Sequence, residues 1–295
     1  MRGKVLLYAV LVLYGILILF PLLIVVIPTF QTVQESSRGI LSIPSHFSFQ
    51  NYIDAWNQSH FMRALRNTLV IVGMTLVFNI LLGSLAAFPI AIRSHRPVFK
   101  ASYYVFIVGL MLPFQAVMIP LYVLMGRTLK LTNTFPGVIL VYLAITMPLT
   151  VFFFSQFIKT VPREMEEASI LDGCGYLRMF FKIFFPLLRP ITAAIIIQNM
   201  IFLWNDLLVP LLLIDNDILK PIMPMVYVFF GTYYNKWNLA FSVLVLGALP
   251  FLLLFLALQE QFIKGLSSGA VTSNSMRPST APLSALFLPI FRCAG

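Results

Sequence analysis

Charge is what this chain of 295 residues has least of: Asp, Glu, Lys and Arg together make up 10% of it. With 60% hydrophobic residues, 14% aromatics and a mean hydropathy of +0.93, it has too little polar surface to cover its apolar mass in water. That excludes an ordinary soluble domain. Two cysteines, Cys174 and Cys293, exclude a disulfide-rich scaffold and supply no metal-ligand spacing. The three histidines, His46, His60 and His95, fall in or beside loops and are read as solvated. No GxxxxGK[ST] occurs, so the chain has no phosphate cradle of its own. The net charge of +10 is not read as affinity for nucleic acid, because membrane proteins retain Lys and Arg in cytoplasmic loops.

What the chain does have is long apolar runs. A helix needs about 20 such residues to cross a hydrocarbon core of about 30 Å while satisfying its own backbone hydrogen bonds. Six stretches reach that length: Val5–Ile27, Thr68–Ile92, Ala101–Met125, Gly137–Ile158, Ile191–Ile214 and Leu239–Gln259. The expected fold class is therefore all-α, a polytopic membrane protein with six transmembrane helices. The first run follows Arg2 and Lys4 as a secretory signal would, but it is too long for one and no small-residue cleavage site follows, so it is read as a retained span. With the N-terminus inside, thirteen Lys and Arg fall on the cytoplasmic side against seven outside, and eleven against seven without the distant Arg277 and Arg292. Both termini are expected in the cytoplasm.

No internal repeat and no second soluble domain is evident, so 1–273 is read as one transmembrane domain. The tail 274–295 is expected to be poorly ordered. The segment Pro28 to Asn67, with Tyr52 and Trp56, is too polar to span. A later external loop carries Tyr233, Tyr234 and Trp237, which suit an interfacial belt better than a ligand-stacking role.

The scarce charge is concentrated in the cytoplasmic loop 159–190, where Glu164, Glu166, Glu167 and Asp172 stand among Lys159, Arg163, Arg178, Lys182 and Arg189. Val161 to Asp172 reads as a short helix. Pro162 suits its start, the glutamates complement its N-terminal dipole, and Gly173 is a natural stop. Val161, Met165, Ala168 and Leu171 form one apolar stripe. A second amphipathic segment is expected to set Leu177, Phe180, Phe181 and Phe184 against Arg178 and Lys182, before Pro186 and Pro190 bend the chain into the fifth span. Such helices can float on headgroups, but an anionic leaflet repels four carboxylates, which are better placed against a basic protein surface.

The pattern Glu167-Ala168-Ser169, three residues, Gly173, nine residues, Ile183, then Phe185-Pro186 resembles the EAA loop of the permease subunits of ABC importers. It departs from the commonest form at Ser169, Cys174 and Phe185, all small or apolar exchanges. "MLPFQAVMIPLYVL" from Met111, "FLWNDLLVPLLL" from Phe202 and the ending "QEQFIKGLSSGAVTS" are similar to carbohydrate-importer permeases, in particular to the group of the maltose importer's second permease. The resemblance runs from Tyr8 to Ser273.

It implies a non-enzymatic transport subunit in a bacterial inner membrane, importing a carbohydrate by alternating access. The implied partners are a sister permease, two copies of a cytoplasmic ATP-binding subunit and an extracytoplasmic solute-binding protein, with lipid around the complex and no nucleic acid. ATP and Mg would belong to the ATPase, leaving this chain without a cofactor. Glu167 would contact the ATPase, with Glu166 and Ser169 beside it. Gly173 would form the joint, Asp172 would cap or pair locally, and Met165, Ala168 and Leu171 would supply the apolar seat.

Within the spans, Asp206 is the ionised residue, and near a helix centre it would cost about 2.5–3.5 kcal/mol if it faced lipid. It stands about 25 Å up the helix from Arg189 at roughly 1.5 Å per residue. With Trp204 and Asn205 it either lines an outer gate or packs structurally. Gln115 is a further candidate for the translocation path, between Pro113 and Pro120, which free backbone carbonyls and favour a kink in the third span. Asn79 and Gln198 are weaker ones, each equally readable as an interhelical hydrogen bond. A membrane-embedded transferase using Glu166, Glu167 and Asp172 is disfavoured, because adjacent carboxylates on a helix point apart. A self-sufficient channel or carrier would need a polar midplane line or inverted repeats, and neither is apparent.

Overall fold

The computed structural model describes residues 2–230 and 236–271. Tyr233, Tyr234, Arg277, Arg292, Cys293 and the tail 274–295 lie outside the described residues. In chain order the helices are α1 (Arg2–Val26), α2 (Val33–Arg38), α3 (Gln50–Gln58), α4 (Phe61–Ile92), α5 (Pro97–Met111), α6 (Phe114–Val123) and α7 (Phe135–Ile158). After these come α8 (Arg163–Leu171), α9 (Tyr176–Met179), α10 (Phe185–Leu187), α11 (Arg189–Asn205), α12 (Leu208–Leu213), α13 (Ile222–Met225) and α14 (Trp237–Val271). Among the described residues the chain is helices and their connections, an all-α membrane protein.

Val10–Phe30, Phe61–Ile92, Phe135–Ile158 and Trp237–Leu256 are each long and apolar enough to cross a bilayer. Two bent pairs bring the number of spans to six if each pair is one crossing.

Both bends fall at prolines expected to kink or bend the chain, Pro113 in the third span and Pro186 and Pro190 at the entry to the fifth. In place of one helix over Ala101–Met125, Pro97–Met111 and Phe114–Thr128 meet at 100°. Pro113 pushes the preceding residue out of the helical region, and Leu112 accordingly adopts ψ 114. The expected fifth span, Ile191–Ile214, also breaks: α11 ends at Asn205 and α12 starts at Leu208. Pro210 has no N–H to return to the Asp206 carbonyl, and the Asp206 carboxylate instead accepts from the backbone N–H of Val209 at 3.0 Å.

The chain divides into two compact units, Met1–Val70 with Asn205–Leu254 and Ile71–Trp204 with Phe255–Gly295. In the first, α1 is apolar on every side, and its most apolar window has no buried residue, as suits a helix surrounded by lipid. The polar residues that keep Pro28–Asn67 out of the membrane fasten it into a folded segment. The Nε2 of buried Gln31 donates to the carbonyls of Ile40 at 3.1 Å and Ser42 at 2.6 Å. Asn51 Nδ2 donates to the carbonyls of Thr29 and Gln31, both at 2.8 Å, and Asn238 Nδ2 donates to Asn51 Oδ1 at 2.9 Å. Asn67 Nδ2 donates to the Ile218 carbonyl at 2.8 Å, and Thr68 Oγ1 accepts from the Ile222 N–H at 3.0 Å.

In the second unit, α4, α7 and α11 meet around a buried polar node. Asn79 Nδ2 donates to Thr146 Oγ1 at 2.8 Å, while Asn79 Oδ1 accepts from Thr150 Oγ1 at 2.5 Å and from Asn199 Nδ2 at 3.1 Å. Thr146 Oγ1 in turn donates a hydrogen bond to the Tyr142 carbonyl at 2.7 Å. The close approach of α4 to α7 rests on Gly83: a Cβ there would lie 2.5 Å from Thr150 Cγ2. One end of this unit is apolar and dense, with Phe88, Phe154, Met179, Phe180, Ile183, Phe184 and Leu188 all buried. The Phe88 ring meets Phe180 and Phe184 edge-on at 5.3 and 5.0 Å.

Candidate functional site

Helix α8 is short, and its two ends explain its boundaries. Pro162, at ψ 136, holds the chain extended just before Arg163, and Glu164 and Glu166 occupy the first turn, where carboxylates complement the helix dipole. At the other end the N–H of Gly173 bonds to the Ile170 carbonyl and that of Cys174 to the Ser169 carbonyl, both at 3.0 Å. This is a Schellman closure, and it needs a left-handed residue at Gly173, whose φ is +73°. Gly175 then returns to extended backbone, and α9 begins.

The helix divides its residues between two faces. Ser169 is fully buried, its hydroxyl donating to the Met165 carbonyl at 2.6 Å, and Val161 and Met165 pack on the apolar core of the second unit. Ala168 is half-buried. Opposite them Glu167, Ile170 and Asp172 are exposed, and Leu171 is 87% exposed. The expected stripe Val161, Met165, Ala168 and Leu171 is thus parted: Val161, Met165 and Ser169, at intervals of four, face inward, while Leu171 faces outward. Glu166 is half-buried. With Lys159, Arg163, Ser94 and Pro162 it lines a cleft of about 250 Å³ whose floor includes Ile158 and Phe184.

The segment after Gly173 also differs from its expected face. Phe180 and Phe184 are buried, as are Met179 and Ile183, but Leu177 is 70% and Phe181 50% exposed. Residues four apart still share a face, Leu177 with Phe181 outside and Phe180 with Phe184 inside, so the buried face is centred on Met179, Phe180, Ile183 and Phe184 and leaves Leu177 and Phe181 beyond its edge. Phe180–Phe184 itself is a π turn. Tyr176–Leu187 and Arg189–Asn205 then meet at 73°. Arg93 lies over the Tyr176 ring at 4.3 Å and Lys159 over the Tyr103 ring at 4.9 Å, tying both flanks of the loop to aromatic faces.

The path candidates are placed less uniformly. Trp204 is buried at the end of α11, Asn205 is exposed, and Asp206 is half-buried in the break that its carboxylate helps to start again as helix. Gln115 is exposed in the first turn of α6, two residues past the bend. Asn79 is an interhelical hydrogen-bonding residue. Its partner on α11 is Asn199, not the neighbouring Gln198 that was expected, which is exposed. A signal was available: Asn199 is four residues from both Ile195 and Leu203, which are buried, so it shares their face. Among the described residues no three His, Cys, Asp or Glu side chains converge as a metal site would require.

The family described as "Binding-protein-dependent transport system inner membrane component" matches residues 79–268, which contain α8, its cleft and the polar node. The chain belongs to this family. Among curated relatives, this inner membrane component is 38% identical over 229 residues to the melibiose/raffinose/stachyose import permease protein MelC of Bacillus subtilis, covering 77% of this chain and 82% of that protein. It is 33% identical over 257 residues to the multiple sugar-binding transport system permease protein MsmG of Streptococcus mutans, covering 84% and 92%. It is also 30% identical over 248 residues to the probable starch degradation products transport system permease protein AmyC of Thermoanaerobacterium thermosulfurigenes, covering 84% and 89%. Its fold matches a solved structure described as a bacterial ABC transporter involved in the import of the acidic polysaccharide alginate. The TM-score is 0.72 and the identity 18%, over 88% of this chain and 97% of that one.

Proposed function

We propose that this chain is a permease subunit of an ATP-driven, binding-protein-dependent importer of a carbohydrate, coupled to its ATPase through α8. The observation that carries the coupling is the outward face of that helix: Glu167, Ile170 and Leu171 stand exposed on a short helix whose other face is anchored by Ser169 and Met165. A large side chain such as Leu171, left 87% exposed beside a carboxylate, has the makeup of a seat for a partner with a basic-rimmed apolar pocket.

In this reading the ATP-binding subunits, two copies, grip α8 and the equivalent helix of a sister permease. Glu167 pairs with a cation on the ATPase, and Asp172 stands beside the joint at Gly173. Closure on ATP and Mg, both held by the ATPase, drags α8. The packing of Met165, Met179, Phe180 and Phe184 on Phe88 and Phe154 passes that displacement to α4 and α7. Alternating access then follows from tilting of the membrane helices, while a solute-binding protein delivers cargo on the far side. A carbohydrate cargo is supported by the relatives, which are named for the transport of melibiose, raffinose and stachyose, of starch degradation products and of multiple sugars. The orientation with α8 and both termini in the cytoplasm of a bacterial inner membrane rests on the Lys and Arg bias.

The test is gentle extraction of the tagged chain from its native membrane, with mass spectrometry of what co-purifies. A second permease and two copies of an ATP-binding subunit are expected. Recovery of the chain alone, still active in liposomes, would sink the reading.

A further inference from the structure

Next to the α8 cleft, and sharing Ser94 and Lys159 with it, lies a second groove of about 280 Å³ with a different chemistry. Its lining includes His95, Lys100, Tyr103 and Tyr104, and no carboxylate, whereas the α8 cleft includes Glu166. Neither Lys100 nor Lys159 has a carboxylate within 4 Å among the described residues. Lys159 is held in place all the same. Its Nζ lies over the Tyr103 ring at 4.9 Å, and the Tyr103 hydroxyl accepts from Gln156 Nε2 at 2.7 Å.

The groove's position in the second unit bears on what occupies it. It forms where α5 starts, at Pro97, and α7 ends, at Ile158, so it lies at the end of two membrane helices, at headgroup depth. Tyr103 and Tyr104 suit that depth, and lysine stems extend along apolar surface to bring their ammonium groups there. From Tyr104, Val108 and Met111 follow at intervals of four and three on one face of α5, all three more than half exposed. The groove is therefore a cationic, hydroxyl-bearing pocket that opens onto an apolar lane running into the membrane.

We propose that this groove binds the phosphate headgroup of an anionic phospholipid of the phosphatidylglycerol class. Lys100 and Lys159 pair with the phosphodiester, the Ser94 and Tyr104 hydroxyls donate to it or to the glycerol, and an acyl chain lies along Val108 and Met111. Charge-assisted contacts favour phosphate here. The absence of a carboxylate from its lining separates this groove from the α8 cleft, where Glu166 stands with Lys159 and Arg163 and the mixed charge suits a protein surface. The proposal depends only on residence in a bilayer, so it stands or falls separately from the cargo and the ATPase.

The test uses the full chain purified in detergent, with phosphatidylglycerol and phosphatidylcholine of matched acyl chains as probes and native mass spectrometry as the readout. The wild-type chain is expected to retain phosphatidylglycerol preferentially, and Lys100→Gln with Lys159→Gln to weaken that retention roughly twenty-five-fold, at about fivefold per basic group. Arg127→Gln with Lys130→Gln, at and just past the end of the Phe114–Thr128 helix, is expected to change nothing. Equal retention of the two lipids by the wild-type chain would overturn the proposal without recourse to any variant. So would undiminished binding by a folded Lys100/Lys159 double variant, or an equal loss in the Arg127/Lys130 control. Lipid held by the isolated chain but absent from the transporter assembled with its partners would mark a protein interface instead, and would also overturn it.

Discussion

The hydroxyl of Thr150 on α7 donates to Oδ1 of Asn79 on α4 at 2.5 Å, and the same Thr150 places its Cγ2 where a Cβ on Gly83 would have to go. One residue thereby serves as both hydrogen-bond donor and steric wall. Asn79→Ala leaves Thr146, Thr150 and Asn199 short of partners in a buried site. It is expected to lower stability by about 1–3 kcal/mol, read by denaturant titration in detergent. Gly83→Ala should cost about 1–3 kcal/mol by overpacking, because β-branched Thr150, bonded to Asn79, cannot swing aside. A Gly83→Ala variant as stable as wild type would show that α4 and α7 have slack at this crossing.

Gly173 tests the joint. Nothing lies within 4 Å of a Cβ built there, so the cost of a side chain is confined to the backbone at φ +73°. Gly173→Asn, which tolerates the left-handed region, should keep most transport in proteoliposomes, while Gly173→Val should lose more than tenfold. Equal activity of the two variants would refute a coupling role for this conformation.

Leu171→Asp and Glu167→Lys change exposed residues, so stability is expected to stay within about 0.5 kcal/mol of wild type. Recovery of the ATP-binding subunit with the tagged chain should nonetheless fall by at least tenfold in each. Wild-type recovery and transport in both would remove α8 as the seat.

The span positions were legible because an apolar run of membrane length has few other destinations. The stop at Gly173 was legible because left-handed backbone selects glycine. The bend at Leu112 was legible as a kink in Pro113, although its 100° was not. The break at Asp206 was not legible, because hydropathy continues through it and Pro210 alone does not announce it, since prolines also stand inside the unbroken helices α4, α7 and α14. The exposure of Leu177 and Phe181 was not legible, because spacing alone does not say where the edge of an apolar face falls, and here the buried face is centred on Met179, Phe180, Ile183 and Phe184. Within α8, the small polar Ser169 takes the inward position because its hydroxyl is satisfied by the Met165 carbonyl of its own helix, which lets Leu171 point outward.

Glu35 offers a pH test outside the membrane helices. The Ser45 hydroxyl, then the backbone N–H groups of Thr32 and Ser45, hold its carboxyl down from 4.5 to about 2. Since the folded value lies below the unfolded one, its contribution is complete above about pH 4.5 and fades as pH falls toward 2. The Thr32–Glu35 capping box and the Ser45 loop should therefore resist limited proteolysis at pH 5 and become progressively cleavable below pH 4. Glu35→Gln should abolish that dependence. A cleavage profile that is flat in wild type would refute the linkage.

The bare helix α1 bears on evolutionary drift. A segment that fits no groove of its own chain is constrained by composition rather than by order. Between residues 10 and 23, Leu, Ile and Val can exchange places without altering the fold, so homologues are expected to agree there in hydropathy while their letters diverge. Inherited identity is expected to concentrate in α4, α7 and α8, where Gly83, Thr150 and Ser169 have no room for a substitute.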